Sequence, residues 1–136
     1  MDLTSLEPVA SDAVHEVEPA VMGGVEYPEA LKIECSTYDE VTMEYTLGKR
    51  YSALSGWVGI QDDASNSYAT ANIKFTDEKE RVLARVSGPY GAPKKISNLD
   101  VRSVMRIRIH CRLSDSRKFS SQHHVTLAGM QLKSLS

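Results

Sequence analysis

The stretch from Val41 to Asp63, VTMEYTLGKRYSALSGWVGIQDD, constrains this chain more than any other. Val41, Met43, Tyr45 and Leu47 alternate with Thr42, Glu44 and Thr46, the period of two that belongs to a strand with one buried face. Gly48-Lys49-Arg50 breaks the alternation with a residue free to adopt positive φ. A second run then places Leu54, Gly56, Val58 and Ile60 on one face. Two strands joined by a short turn follow from this. The second ends in Gln61-Asp62-Asp63-Ala64-Ser65-Asn66-Ser67, a loop of turn formers and oxygen donors.

The same pattern recurs along the chain. A short strand is predicted at Thr4 to Glu7, stopped by Pro8, and Ala10 to Ala20 reads as an extended edge or loop, because Pro19 and β-branched residues oppose a helix. Gly23-Gly24 marks a turn, Leu31 to Cys35 a strand and Ser36 to Glu40 a turn. Further strands are predicted at about Tyr68 to Phe75, Arg81 to Ser87, Lys95 to Leu99, Val104 to Leu113 and His124 to Leu132, with a loop at Ser87 to Pro93. Short strands separated by turns at this spacing predict an all-β antiparallel sandwich or barrel. A length of 136 residues fits one domain, 1–136, with a real core.

A resemblance extends this reading. The strand ending in Leu47-Gly48-Lys49-Arg50-Tyr51-Ser52-Ala53-Leu54, followed by one closing on Val58-Gly59-Ile60-Gln61-Asp62-Asp63, resembles the NPCBM family of carbohydrate-binding modules. Gly24-Val25-Glu26-Tyr27-Pro28-Glu29-Ala30-Leu31 resembles the approach to the same core, and Ile73 to Val86 resembles a late strand pair. There Thr76 to Glu80 holds the turn without the glycine usual in the family. Leu127 and Gly129 stand where the family usually has Trp and Asp. The resemblance implies a galactose-binding-like jelly roll that recognises a glycan or polysaccharide without catalysis, within a bacterial cell-surface or secreted protein. The alternative is a protein-interaction, sensory or dimerisation module on the same fold, in which a homodimer takes the place of sugar.

No phosphate loop, HExxH or nucleophile elbow supports an enzyme. Asp62 and Asp63 are adjacent and diverge on a strand end, and the rings of His123 and His124 are expected on opposite sides of a strand. No apolar run approaches a membrane span, and the N-terminus lacks the basic and apolar regions of a secretory signal. An exported protein would carry its signal elsewhere in a longer polypeptide.

The binding candidates are aromatic, because sugars stack their C–H faces on such rings. Trp57 is expected on the outer face of its sheet, either as a platform or covered by the N-terminal segment or a partner subunit. Tyr68, Tyr90 and Phe119 are expected to line one end of the sandwich, where loops carry sites. Asp62, Asp63, Ser65 and Asn66 could hold a structural calcium, the one cofactor considered, or the two carboxylates could cap the loop by accepting backbone N–H bonds.

Cys35 and Cys111 lie on the apolar parity of their strands. They are read as two buried free thiols, with a disulfide in an oxidising compartment as the alternative. Charge is lopsided: Met1 to Leu47 holds 11 of the 18 acidic residues and one base, Lys32. Complementarity between neighbouring early and late strands accounts for this. Arg106, Arg108, His110 and Arg112 alternate with Met105, Ile107, Ile109, Cys111 and Leu113, which are expected to face inward, and lie about 7 Å apart on the other face. Such a row needs cross-strand acids, for which Glu34 and Glu44 are the expected donors, or an acidic polysaccharide. Nucleic acid is not expected, since the net charge is −2 and no aromatics interleave with the arginines.

Overall fold

A computed structural model describes residues 1–64, 68–117 and 122–135. Ten strands follow one turn of 3₁₀ helix at Leu3–Ser5: β1 (Ala10–Ser11), β2 (His15–Met22), β3 (Val25–Ser36), β4 (Val41–Thr46), β5 (Tyr51–Gly59), β6 (Ala69–Thr76), β7 (Val82–Pro89), β8 (Lys94–Asp100), β9 (Arg106–Asp115) and β10 (Gln122–Ser134). They form two five-stranded antiparallel sheets, β1-β4-β9-β6-β7 and β2-β3-β10-β5-β8, which make the sandwich that the alternation predicts. Among the described residues no helix is long and apolar enough to cross a membrane.

The core lies between the sheets, where alternation places it: Met43 and Tyr45 of β4, Ile73 and Phe75 of β6, and Ile107 and Ile109 of β9 face Leu31, Ile33, Leu54, Val58 and Leu127. In β10 the inward set changes parity, from Val125 and Leu127 to Met130 and Leu132. The pairing with β5 slips between Ala128 and Gln131, and Gly129 at φ 58° supplies the extra residue of the bulge.

Four sequence expectations change. Thr4 to Glu7 is not a strand, because Leu3 and Leu6 are three residues apart and both reach the core through the 3₁₀ turn. Strand β7 continues into the predicted loop as far as Pro89. As the sheet edge it tolerates a residue without N–H, and a Cβ at Gly88 would fall 2.2 Å from the Val58 carbonyl oxygen of the facing sheet. Met105 lies outside β9 and is exposed. Finally, Cys35 and Cys111 are not free thiols. The sheets bring β3 and β9 face to face, their Cα atoms are 6.0 Å apart, and the two sulfurs are bonded.

Candidate functional site

The loops β3–β4, β5–β6, β7–β8 and β9–β10 lie at one end of the sandwich, since the registers place Ala69 opposite Asp115, Ser36 opposite Gln122 and Gly59 opposite Thr126. The turn of the β2–β3 hairpin is tied to this end by Asp62. Its Oδ1 accepts the Gly23 N–H at 2.8 Å, its Oδ2 accepts the Gly24 N–H at 2.9 Å, and its own N–H donates to the Val21 carbonyl at 2.8 Å. The Tyr90 hydroxyl donates to the Asp62 carbonyl at 2.5 Å, and its ring packs against the core, so Tyr90 braces the loops.

These contacts bear on the calcium question. Both carboxylate oxygens of Asp62 already accept backbone amides, while exposed Asp63 borders a different surface. Among the described residues no three His, Cys, Asp or Glu side chains are grouped to hold a metal. Calcium takes six to eight oxygens, so the described donors do not fit it. Ser65 and Asn66 lie outside the described residues, as does Phe119.

Trp57 is half-buried, and the cover is the chain's own hairpin. In register it stands beside Ala128, which stands beside Ala30, and these small side chains leave room for the indole. Ala20 and Met22 of β2 and Tyr27 of β3 complete a small apolar cluster against it. Lys95 lies over the ring at 5.8 Å from its centroid. The hairpin therefore makes Trp57 an anchor for the outer layer.

Tyr68 is different. Its ring is 51% exposed at the start of β6, and the Arg117 guanidinium lies 4.4 Å from its centroid. Arg117 is held in turn by Asp115, whose side chain is fully buried: Asp115 Oδ1 accepts the Arg117 backbone N–H at 2.8 Å, and Oδ2 lies 3.1 Å from Nη2. That hydrogen-bonded carboxylate, and then its charge, raise the Arg117 pKa despite desolvation. The first residues of the β5–β6 loop border an open cleft of about 350 Å³, lined by Glu16, Glu18, Lys32, Glu34, Gln61, Asp63, Ala64, His123 and His124. Lys32, buried at its stem, hydrogen-bonds Glu18, and that bond and the Lys32 charge lower the Glu18 pKa. The loop end thus carries an exposed aromatic ring and a cleft of carboxylates, imidazoles and an amide, groups that suit a polyhydroxylated ligand, whose hydroxyls both donate and accept.

Sequence reasoning missed Arg117, whose relation to Tyr68 spans two loops, and the place of His123 and His124, which border the cleft. Exposed Tyr38, in the β3–β4 turn, belongs to this same end.

The arginine row does align on the outer face of β9. Arg108 meets Glu44 at 3.6 Å and Glu80 at 3.9 Å, and His110 Nδ1 lies 2.7 Å from Glu40 with Nε2 2.9 Å from the Thr76 hydroxyl. Glu34 takes no part, because β3 belongs to the other sheet. Exposed Arg106 begins the row. Exposed pairs of this kind contribute about 0–1 kcal/mol each.

The two five-stranded sheets make an antiparallel β-sandwich with the fold seen in solved carbohydrate-binding modules. Among solved structures, the chain is similar to the M60 catalytic domain with CBM51-1 and CBM51-2 of Clostridium perfringens ZmpB (TM-score 0.74, 17% identity, 100% of this chain and 15% of that chain). It is similar to CBM51-2 and INT domains of the same protein, in complex with GlcNAc (0.74, 14%, 98% and 31%). It also matches CBM51 from Clostridium perfringens GH95, in complex with methyl-galactose (0.73, 12%, 98% and 99%). The chain thus spans under a third of the first two chains and nearly all of the third. No family model and no curated protein sequence matches it.

Proposed function

We propose that residues 1–136 form one non-catalytic carbohydrate-binding module of an exported bacterial protein, which holds a neutral glycan at the loop end of the sandwich. The observation that carries this reading is the end-to-end correspondence with a free-standing CBM51 module bound to methyl-galactose. The loop end supports it. Tyr68, steadied by Arg117, offers a C–H stacking face, and the cleft bordered by Gln61, Asp63 and Ala64 falls in the size range of small-ligand sites. Gln61, Asp63 and His124 supply hydrogen bonds to hydroxyls. The role is binding, since Asp62, which sequence places beside Asp63, is spent on two amides and leaves no acid–base pair there. The Cys35–Cys111 bond supports an exported protein, since such bonds persist where thiols are oxidised.

A glycan array carrying galactosides and N-acetylglucosaminides tests the reading. At least one neutral glycan is expected to bind, and Tyr68→Ala is expected to weaken it by about tenfold, the loss of a stacking contact of about 1.4 kcal/mol, with little change in melting temperature. An array without binders, or full affinity in Tyr68→Ala, contradicts it.

A further inference from the structure

We propose a second binding site, separate from the loop end, on the outer face of the β1-β4-β9-β6-β7 sheet: Lys74, Arg85 and Arg112 bind an anionic polysaccharide. Ile73 and Phe75 point into the core, so Lys74 points out, and the register sets it directly opposite Arg85 on β7. Side chains so paired have Cβ atoms about 5 Å apart, and like charges there repel. Among the described residues neither Lys74 nor Arg85 makes a salt bridge. Arg112 stands on β9 opposite Asn72, one pair further along, and its Nε and Nη2 donate to the Thr37 carbonyl, which fixes the guanidinium in place.

These three cations border a shallow cleft of about 270 Å³. Glu40 also lines it, but its Oε1 lies 2.7 Å from His110 Nδ1 and so does not answer the Lys74–Arg85 pair. Asn72 and Ser87 on the same wall hydrogen-bond each other at 2.8 Å, a neutral floor under the charges. The chemistry called for is an anionic oxygen, carboxylate or sulfate, bridging Lys74 and Arg85, with a further anion reaching Arg112. A polysaccharide with repeated anions meets both, whereas nucleic acid bases find no Phe, Tyr or Trp platform among the lining residues to stack on, and the His110 ring is held between Glu40 and Thr76. The site is also distinct from Arg108, whose charge is met by Glu44 and Glu80.

The test uses the whole chain, with polygalacturonate as the carboxylate probe, dextran sulfate as the sulfate probe and neutral dextran as the control, at low and physiological salt. At least one acidic polymer is expected to bind, neutral dextran is not, and added salt should weaken binding by about tenfold or more. The Lys74→Ser/Arg85→Ser double variant should lose the acidic polymer, keep its neutral-glycan affinity, and melt at the same or a higher temperature because the repulsion is gone. Arg85→Gln alone should weaken binding in the same direction. Undiminished binding in these variants, no binding to either acidic polymer, or a marked fall in melting temperature would overturn the proposal. So would equal binding to duplex DNA, which would make the patch a general polyanion surface.

Discussion

Trp57 shows how far a single residue's role depends on what folds over it. Parity correctly places it outside the main core, but an outward aromatic becomes structural once Ala20, Met22 and Tyr27 pack against it. Cover by the N-terminal segment was one of the two readings the sequence left open; which residues supply it was not legible, because that depends on where the β2–β3 hairpin docks, which Asp62 decides from almost 40 residues away. Trp57→Ala is therefore expected to cost about 2 kcal/mol, seen as a fall of several degrees in melting temperature; an unchanged melting point would show the indole to be uncovered. Glu80 gives the opposite case. It sits at φ 61° in the β6–β7 turn, a segment from Thr76 to Glu80 that contains no glycine. The turn holds because Asp77 Oδ1 accepts the Lys79 and Arg81 amides at 2.9 and 3.0 Å. A side chain in the left-handed region costs about 1 kcal/mol, and the Glu80–Arg108 contact at 3.9 Å returns little. Glu80→Gly is expected to raise the denaturation midpoint by about that much, and a lowered midpoint would contradict this account of the turn.

At the level of elements, strands were legible wherever alternation ran unbroken, as in β4, β6 and β9. It failed where a bulge shifts parity, at Gly129, and where edge position overrides turn chemistry, at Pro89. The disulfide stood in the sequence only as the alternative to two free thiols, for a related reason. Inward parity placed Cys35 and Cys111 in the core, but pairing requires β3 and β9 to face each other across it, a fact of topology that no local pattern carries. Because the bond closes a separation of 76 residues and joins the two sheets, chain-entropy arguments assign it about 4 kcal/mol. Reduction, or Cys35→Ser with Cys111→Ser, should lower the chemical-denaturation midpoint accordingly. A midpoint indifferent to reductant would show that the sheets hold together without the bond.

Across the whole molecule, charge is sorted by face more than neutralised between neighbours. The acidic first third contributes Glu16, Glu18 and Glu34 to the cleft beside the loop end, while the later strands place Lys74, Arg85 and Arg112 on the opposite sheet. Along β9 early acids do meet late bases, through Glu44 of β4 with Arg108 and Glu40, just before β4, with His110. A cleft lined by Glu16, Glu18, Glu34 and Asp63 repels anionic sugars and suits neutral ones, so the two faces would divide glycans by charge. The central claim is that the loop end recognises a neutral glycan, and amide chemical shifts recorded while methyl-galactose, or the best neutral glycan from the array, is titrated into the labelled chain test it most directly. Shifts concentrated at Gln61 to Ala64, Tyr68, Arg117, His123 and His124 are the predicted result; an unperturbed spectrum, or shifts centred on Trp57 and Lys95, would contradict it.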